Sequence, residues 1–166
     1  MFFVRTAMET DVKAVRDLLV DAFEATYVPF YGPETVRKMT DAWHSIAAIK
    51  SRINKRDAEF LVADDGKRLG GMGYAAMYPK MAKTAMLHQL YVHPSCQGEG
   101  IGRDIFAELE TCFPDAEIMR LEVAIENVRA ISFYNRLGFV EVDKMVDCGG
   151  PGSGLPALIL EKKLSF

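Results

Sequence analysis

The chain has 166 residues, 49% of them apolar and 26% charged, with a formal net charge of -3. Such a length and balance suit one soluble, compact domain that buries its core without disulfides or metals. The weak negative charge argues against nucleic acid as a partner, and no run approaches the roughly 20 apolar residues that span a bilayer.

Phe2 to Arg5 reads as a first strand. Thr10 is placed to cap a helix to about Phe23, because Val12, Val15, Leu18, Leu19, Ala22 and Phe23 share one face. Tyr27 to Pro33 reads as an aromatic, proline-containing loop, and Pro33 opens a second helix. That helix carries a stripe of Val36, Met39, Trp43, Ile46, Ile49 and Ile53. The period then changes. Glu59 to Ala63 and Leu69 to Tyr78 read as strands joined at Asp65-Gly66, and Thr84 to Val92 is a further strand.

A glycine-rich turn leads to a helix from about Ile101 to Phe113, which Pro114 stops. Ile118 to Ala124 is a strand, and Asn127 caps a helix to Leu137 with Gly138 at its end. Phe139 to Val146 and Ala157 to Leu164 close the chain as strands around the connector Gly149 to Gly154. The order predicts an α/β (α+β) sandwich with a mixed, mostly antiparallel sheet of about seven strands, a local parallel βαβ section and four helices, all in a single domain over residues 1–166.

Cysteines 96, 112 and 148 form no disulfide or zinc pattern, so no metal is expected and reduced thiols fit a cytoplasmic protein. Met1 to Arg5 lacks a basic region followed by a long apolar stretch, so no signal peptide is expected.

The turn Gln97-Gly98-Glu99-Gly100-Ile101-Gly102 joins a strand to a helix. Helix N-termini leave N–H groups without internal partners, and glycines admit close approach and positive φ, so the turn can cradle a pyrophosphate with Arg103 beside it. The third glycine of a dinucleotide fingerprint is missing, because Arg103 stands there, and Gly102-Arg103-Asp104 is not a Walker ending. A connector that binds nothing is the competing reading.

Leu90-Tyr91-Val92-His93-Pro94 followed by Gln97 to Arg103 closely resembles the acetyl-CoA signature of GNAT acetyltransferases. A second block, Leu121-Glu122-Val123, Asn127, Ala130, Phe133-Tyr134 and Leu137-Gly138-Phe139, resembles the strand and helix that follow it in that family. The resemblance implies the acyl-CoA N-acyltransferase fold and acetyl transfer to a primary amine of a small molecule or peptide. It implies that the backbone of Leu90, Tyr91 and Val92 pairs with the pantetheine arm. One of those N–H groups would polarise the thioester carbonyl. Gln97, Gly98, Glu99, Gly100, Ile101, Gly102 and Arg103 would hold the pyrophosphate. Asn127, Ala130 and Phe133 would line the other side. Tyr134 matches the general acid that protonates the departing thiolate, and ring packing beside Phe133 is its structural alternative.

Glu122 is the first choice of general base, because ribosomal-protein N-terminal acetyltransferases carry a similar Leu-Glu-Val; an exposed strand glutamate is its structural alternative. His88 is the second, since histidine titrates near neutrality. His93 is expected to make loop contacts, and Cys96 is read as an ordinary loop cysteine. His44, beside Trp43, shows no catalytic partner.

The resemblance implies an acceptor pocket from Tyr27 to Trp43 and Asp143 to Gly154. Tyr27, Phe30, Tyr31 and Trp43 would form an aromatic wall, and Glu24, Glu34 and Asp41 would draw a cationic amine. The alternative is that these aromatics pack the two helices together and the acidic residues lie on a solvated face. The resemblance allows a homodimer. The competing function is a weakly active acetyl-CoA-binding sensor or regulatory module.

Overall fold

The structure, a computed structural model, describes residues 1–147 and 155–165. Cys148 and the connector Gly149 to Gly154, expected to help form the acceptor pocket, lie outside the described residues.

The strands are β1 (Phe3–Thr6), β2 (Ala58–Asp64), β3 (Leu69–Met77), β4 (Thr84–Val92), β5 (Ile118–Ala124), β6 (Val140–Met145) and β7 (Ala157–Lys163). The helices are α1 (Val12–Tyr31), α2 (Pro33–Trp43), α3 (Ile46–Ile53), α4 (Ile101–Leu109) and α5 (Val128–Arg136). The seven strands hydrogen-bond in the order β1-β2-β3-β4-β5-β7-β6. The β1–β2, β5–β7 and β6–β7 pairs are antiparallel, and β4–β5 is parallel, with Thr84 opposite Ile118 and Leu87 opposite Leu121. This is the mixed, mostly antiparallel sheet that the sequence predicts.

Two differences from the expected elements have physical causes. The first helix does not stop at Phe23. It continues to Tyr31 through Pro29. The proline removes one helical N–H bond, and the helix ends two residues beyond it. Phe23, Tyr27 and Tyr31 follow one another at i+4, with ring centroids 4.6 Å and 5.7 Å apart, so the apolar stripe outlasts the expected boundary. The expected second helix is two, which makes five helices rather than four. His44 leaves helical geometry, and the Ser45 hydroxyl then accepts the Ala48 N–H at 3.1 Å as a new N-cap. The break takes Ile46 off the inner stripe and leaves it 49% exposed.

The chain forms two compact units, one of residues 1–75 and 89–112 and the other of residues 76–88 and 113–166. In the first, α1 packs on α2 and α3, while α4 packs on β1 and β2. Its core includes Val15, Leu18, Leu19, Ile49, Val62, Met72, Ile105 and Leu109. Burying each such side chain is worth about 1.5–3 kcal/mol against exposure. Gly73 lets α4 approach β3 closely. A Cβ there would stand 2.6 Å from Ile105 Cγ2 and 2.8 Å from Leu109 Cδ1. Near the start of the unit, Arg5 donates to both Asp11 oxygens at 2.8 Å and 2.9 Å and to Asp64 at 2.9 Å. The Arg5 hydrogen bonds hold the Asp11 carboxyl below its ordinary range.

In the second unit, β5 runs between β4 and β7. Arg120 and Glu161 face each other across β5 and β7 at 2.6 Å. Tyr134 of α5 packs edge-on against Phe133 and Phe139, with centroids 5.3 Å and 5.6 Å away. No helix of the described residues is long and apolar enough to cross a membrane.

Candidate functional site

The residues singled out from the sequence are divided between the two units, and the division of β4 falls between His88 and Gln89. The first unit holds Leu90, Tyr91, Val92 and the glycine turn. The second holds His88, Glu122, Asn127, Ala130, Phe133 and Tyr134.

In the first unit, α4 begins immediately after the turn. Gly100 is its N-cap at φ +82°, in the left-handed region, and Gly98 stands at φ +84°. L-residues with a Cβ pay for that geometry, whereas glycine does not. The first intrahelical bond runs from the Asp104 N–H to the Gly100 carbonyl at 3.0 Å. The N–H groups ahead of it are those a helix leaves without internal partners. Nothing lies within 4 Å of a Cβ placed on Gly98. The turn is therefore open on that side and presents backbone donors at the positive end of a nine-residue helix. Ile101 and Gly102 are buried against the unit, while Gln97, Glu99 and Arg103 are exposed.

His93 makes the loop contacts expected of it. Its Nδ1 accepts the Ser95 N–H at 3.2 Å and lies 2.8 Å from the Ser95 hydroxyl, and its Nε2 reaches Asp21 at 3.1 Å. Arg68 also donates to the Ser95 hydroxyl, at 2.9 Å. Cys96 is fully buried, as a packing residue is. Burial pushes the Cys112 thiol up, and it donates to the Glu108 carbonyl at 3.2 Å.

The two faces of β4 are distinct in this unit. Leu90 points toward α4, with its Cδ1 beside the Gly73 position together with Ile105 and Leu109. Gln89 points the other way, to His44 at the end of α2, with 3.2 Å between Gln89 Nε2 and His44 Nδ1. Alternation along a strand requires this opposition. His44 is 2% exposed and Gln89 8% exposed. The His44 ring meets Phe23 and Tyr91 edge-on, with centroids 5.2 Å and 6.4 Å apart. Arg52 of α3 donates to the Trp43 carbonyl and lies 3.4 Å from Gln89 Oε1 and 3.5 Å from His44 Nδ1. Burial first, then the Arg52 and Arg16 charges, push the His44 imidazole down to about 4, so it is neutral at pH 7.

The sequence shows no catalytic partner for His44; the structure gives it hydrogen-bonding neighbours in Gln89 and Arg52. The members of this cluster are 37 and 45 residues apart along the chain, beyond the reach of any local motif. One signal was available: Gln89 is a polar side chain on the same strand face as Leu87 and Tyr91. Of the residues expected to form an aromatic wall, Tyr27 and Trp43 pack against Phe23, which also meets Tyr91, and Phe30 is half exposed. Of the acidic residues expected near the acceptor, Glu34 pairs with Lys38 at 3.5 Å and Asp41 with Arg16 at 2.9 Å.

In the second unit, Asn127 caps α5 by accepting the Ala130 N–H at 3.2 Å. Tyr134 is 8% exposed, and its ring packs in an aromatic cluster with Phe133 and Phe139. Glu122 is exposed in the middle of β5, opposite Ile159 of β7. His88 is the exposed position of β4.

A profile described as the acetyltransferase (GNAT) family matches residues 12–139. The chain belongs to the GNAT acetyltransferase family, within the acyltransferase class of enzymes. Solved structures share its fold. PaiA N-acetyltransferase from Thermoplasma acidophilum, in complex with coenzyme A, is 24% identical with a TM-score of 0.83, covering 98% of this chain and 99% of its own. The ribosomal-protein-S18-alanine N-acetyltransferase from Escherichia coli is 19% identical with a TM-score of 0.74, over 100% and 96% of the two chains. The yncA protein from Salmonella typhimurium, determined with its cofactor acetyl-CoA, is 20% identical with a TM-score of 0.70, over 100% and 95%. A comparison with curated proteins returned no match.

Proposed function

We propose that this chain is a single-domain N-acetyltransferase that moves the acetyl group of acetyl-CoA directly to a primary amine of a small molecule or peptide. The observation that carries the reading is the turn before α4. Gly98 and Gly100 hold left-handed backbone there, and the space over Gly98 is open. That geometry fits a pyrophosphate, because a Cβ would occupy the approach and the helix end supplies donors and positive charge. Coenzyme A in the Thermoplasma structure and acetyl-CoA in the Salmonella structure support the same cofactor here.

Gln97, Gly98, Glu99, Gly100, Ile101, Gly102 and Arg103 would hold the pyrophosphate. The Leu90, Tyr91 and Val92 backbone would pair with the pantetheine arm, and Asn127, Ala130 and Phe133 would line the cofactor. Bound acetyl-CoA supplies an activated thioester. An N–H of Leu90 to Val92 would stabilise the carbonyl oxygen as it gains charge. The Tyr134 hydroxyl, an O–H donor, gives a proton to the leaving thiolate. Glu122 accepts the proton of the attacking amine, with His88 as the second choice. Enzyme and substrate meet in the cytoplasm, and the chain can work as a homodimer.

A sensor that binds acetyl-CoA without turnover is the rival, and the presence of Tyr134 favours the enzyme. Thermal unfolding with and without acetyl-CoA is the test. Ligand at ~100 times its dissociation constant adds about 2.7 kcal/mol of stability. A shift larger than that given by ATP or NAD supports the reading, and turnover on an amine panel then separates enzyme from sensor. No shift at millimolar acetyl-CoA overturns both.

A further inference from the structure

Two arginines meet the C-terminal end of α2. Arg16 donates to the carbonyls of Thr40 at 2.8 Å and His44 at 2.7 Å, and its charge is balanced by Asp41 at 2.9 Å. Arg52 meets the same helix end through the Trp43 carbonyl, yet among the described residues no carboxylate forms an ion pair with it. Its other neighbours are Gln89 Oε1 and His44 Nδ1, both neutral. Capping a helix end explains one of its donors and leaves the charge unanswered. A half-buried guanidinium without an anion is costly, since carbonyl dipoles satisfy N–H groups but do not neutralise the cation.

A second observation points the same way. Gln89 Oε1 faces Arg52, which fixes the amide so that its Nε2 donates to His44 Nδ1. His44 then carries its proton on Nε2, and that buried atom has no partner. Among themselves the side chains of Arg52, Gln89 and His44 thus have more N–H donors than acceptors. Tyr74 and Tyr91 lie close enough to act electrostatically on the same guanidinium. What would complete the cluster is an anion.

Gln89 immediately precedes Leu90 to Val92. We propose that Arg52 anchors a carboxylate of the acetyl acceptor, so that the acceptor is a small amine that also bears a carboxylate, rather than a polyamine. This rests on the reading of Leu90 to Val92 as the segment that presents the thioester. A planar guanidinium suits a carboxylate, because two N–H groups can meet two oxygens. The same cation repels an acceptor that carries only ammonium groups.

The test uses the full chain and matched acceptors that differ by one carboxylate: lysine and cadaverine, phenylalanine and phenethylamine. Release of coenzyme A gives kcat/KM, and calorimetry gives acceptor binding. In the wild type the carboxylated member of a pair should lead by about tenfold or more, and in Arg52→Gln that ratio should fall about tenfold, mostly through KM. Arg52→Lys, which keeps the charge and a donor for Trp43, should recover part of the ratio, and thermal unfolding checks that both variants fold. Binding of a carboxylated amine that depends on Arg52 supports the proposal even where turnover is slow. Equal or better use of the decarboxylated members, a ratio unmoved by Arg52→Gln, or no carboxylate-dependent binding overturns it while acetyl-CoA binding stands. Loss of acetyl-CoA binding by the wild type overturns the enzyme reading, and this inference with it.

Discussion

Gln89 Nε2 donates to His44 Nδ1 across 3.2 Å, and this bond sets the tautomer of an imidazole that burial already holds neutral. With Nδ1 occupied as an acceptor and Arg52 nearby, a second proton has no place to go.

Stability should therefore fall in mild acid. The folded imidazole titrates near about 4, and an unfolded one near ~6.5. Between those values the unfolded chain binds a proton that the folded chain refuses. The contribution is fully present above pH ~6.5 and is lost as pH falls toward about 4, on the order of 3 kcal/mol in all. Urea unfolding from pH 4 to 7 measures it. His44→Asn keeps an acceptor for Gln89 without a titrating ring, and it should flatten the slope. An equal slope in both proteins would assign the acid sensitivity elsewhere.

Tyr134→Phe should lower kcat by about 100-fold or more while leaving acetyl-CoA affinity nearly intact, as loss of a general acid does. The ring contacts to Phe133 and Phe139 survive the change, so the melting curve should move little. Unchanged turnover would remove Tyr134 from the mechanism.

Glu122→Gln should abolish the lower-pH limb of the rate profile, since the base can no longer be protonated out of action. An unaltered profile would pass the role to His88, the exposed position on β4, or to a water chain.

Gly98→Ala should cost about 1 kcal/mol of stability, because its φ of +84° suits only glycine. No protein atom lies near the new methyl group. Any loss of acetyl-CoA affinity beyond that seen for ATP or NAD is then a direct obstruction of the cradle, measurable by calorimetry. Undiminished affinity would place the pyrophosphate elsewhere.

Gly73→Ala should destabilise the chain by about 1–3 kcal/mol in urea unfolding, through overpacking. Its methyl group would meet Ile105 and Leu109, both fully buried, at under 3 Å. A stability equal to the wild type would mean that α4 shifts freely.

How much of this was legible beforehand follows from the range of the forces involved. β4 and β5 begin and end where the sequence placed them, because proline, turns and apolar runs mark their ends locally. The glycine turn was legible for the same reason. The end of α1 was not, since Pro29 reads as a breaker until the i+4 ring contacts around it are seen. The division between α2 and α3 turns on Ser45, a cap hidden inside a continuing apolar stripe. Arg52, His44 and Gln89 come from three separate elements, and only tertiary packing brings them together.

The strand β6 lies at the end of the hydrogen-bonding order, with Val140 61% and Val142 47% exposed. An open strand with apolar side chains is a template on which further chains can stack. Here the ladder to β7 is interrupted between Glu141 and Asp143, and Glu141, Asp143 and Lys144 put charge along it. An irregular, charged margin offers a poor match to an incoming straight strand. Among the described residues no further strand pairs with that margin, and deleting the irregularity should make it a better template for fibre growth.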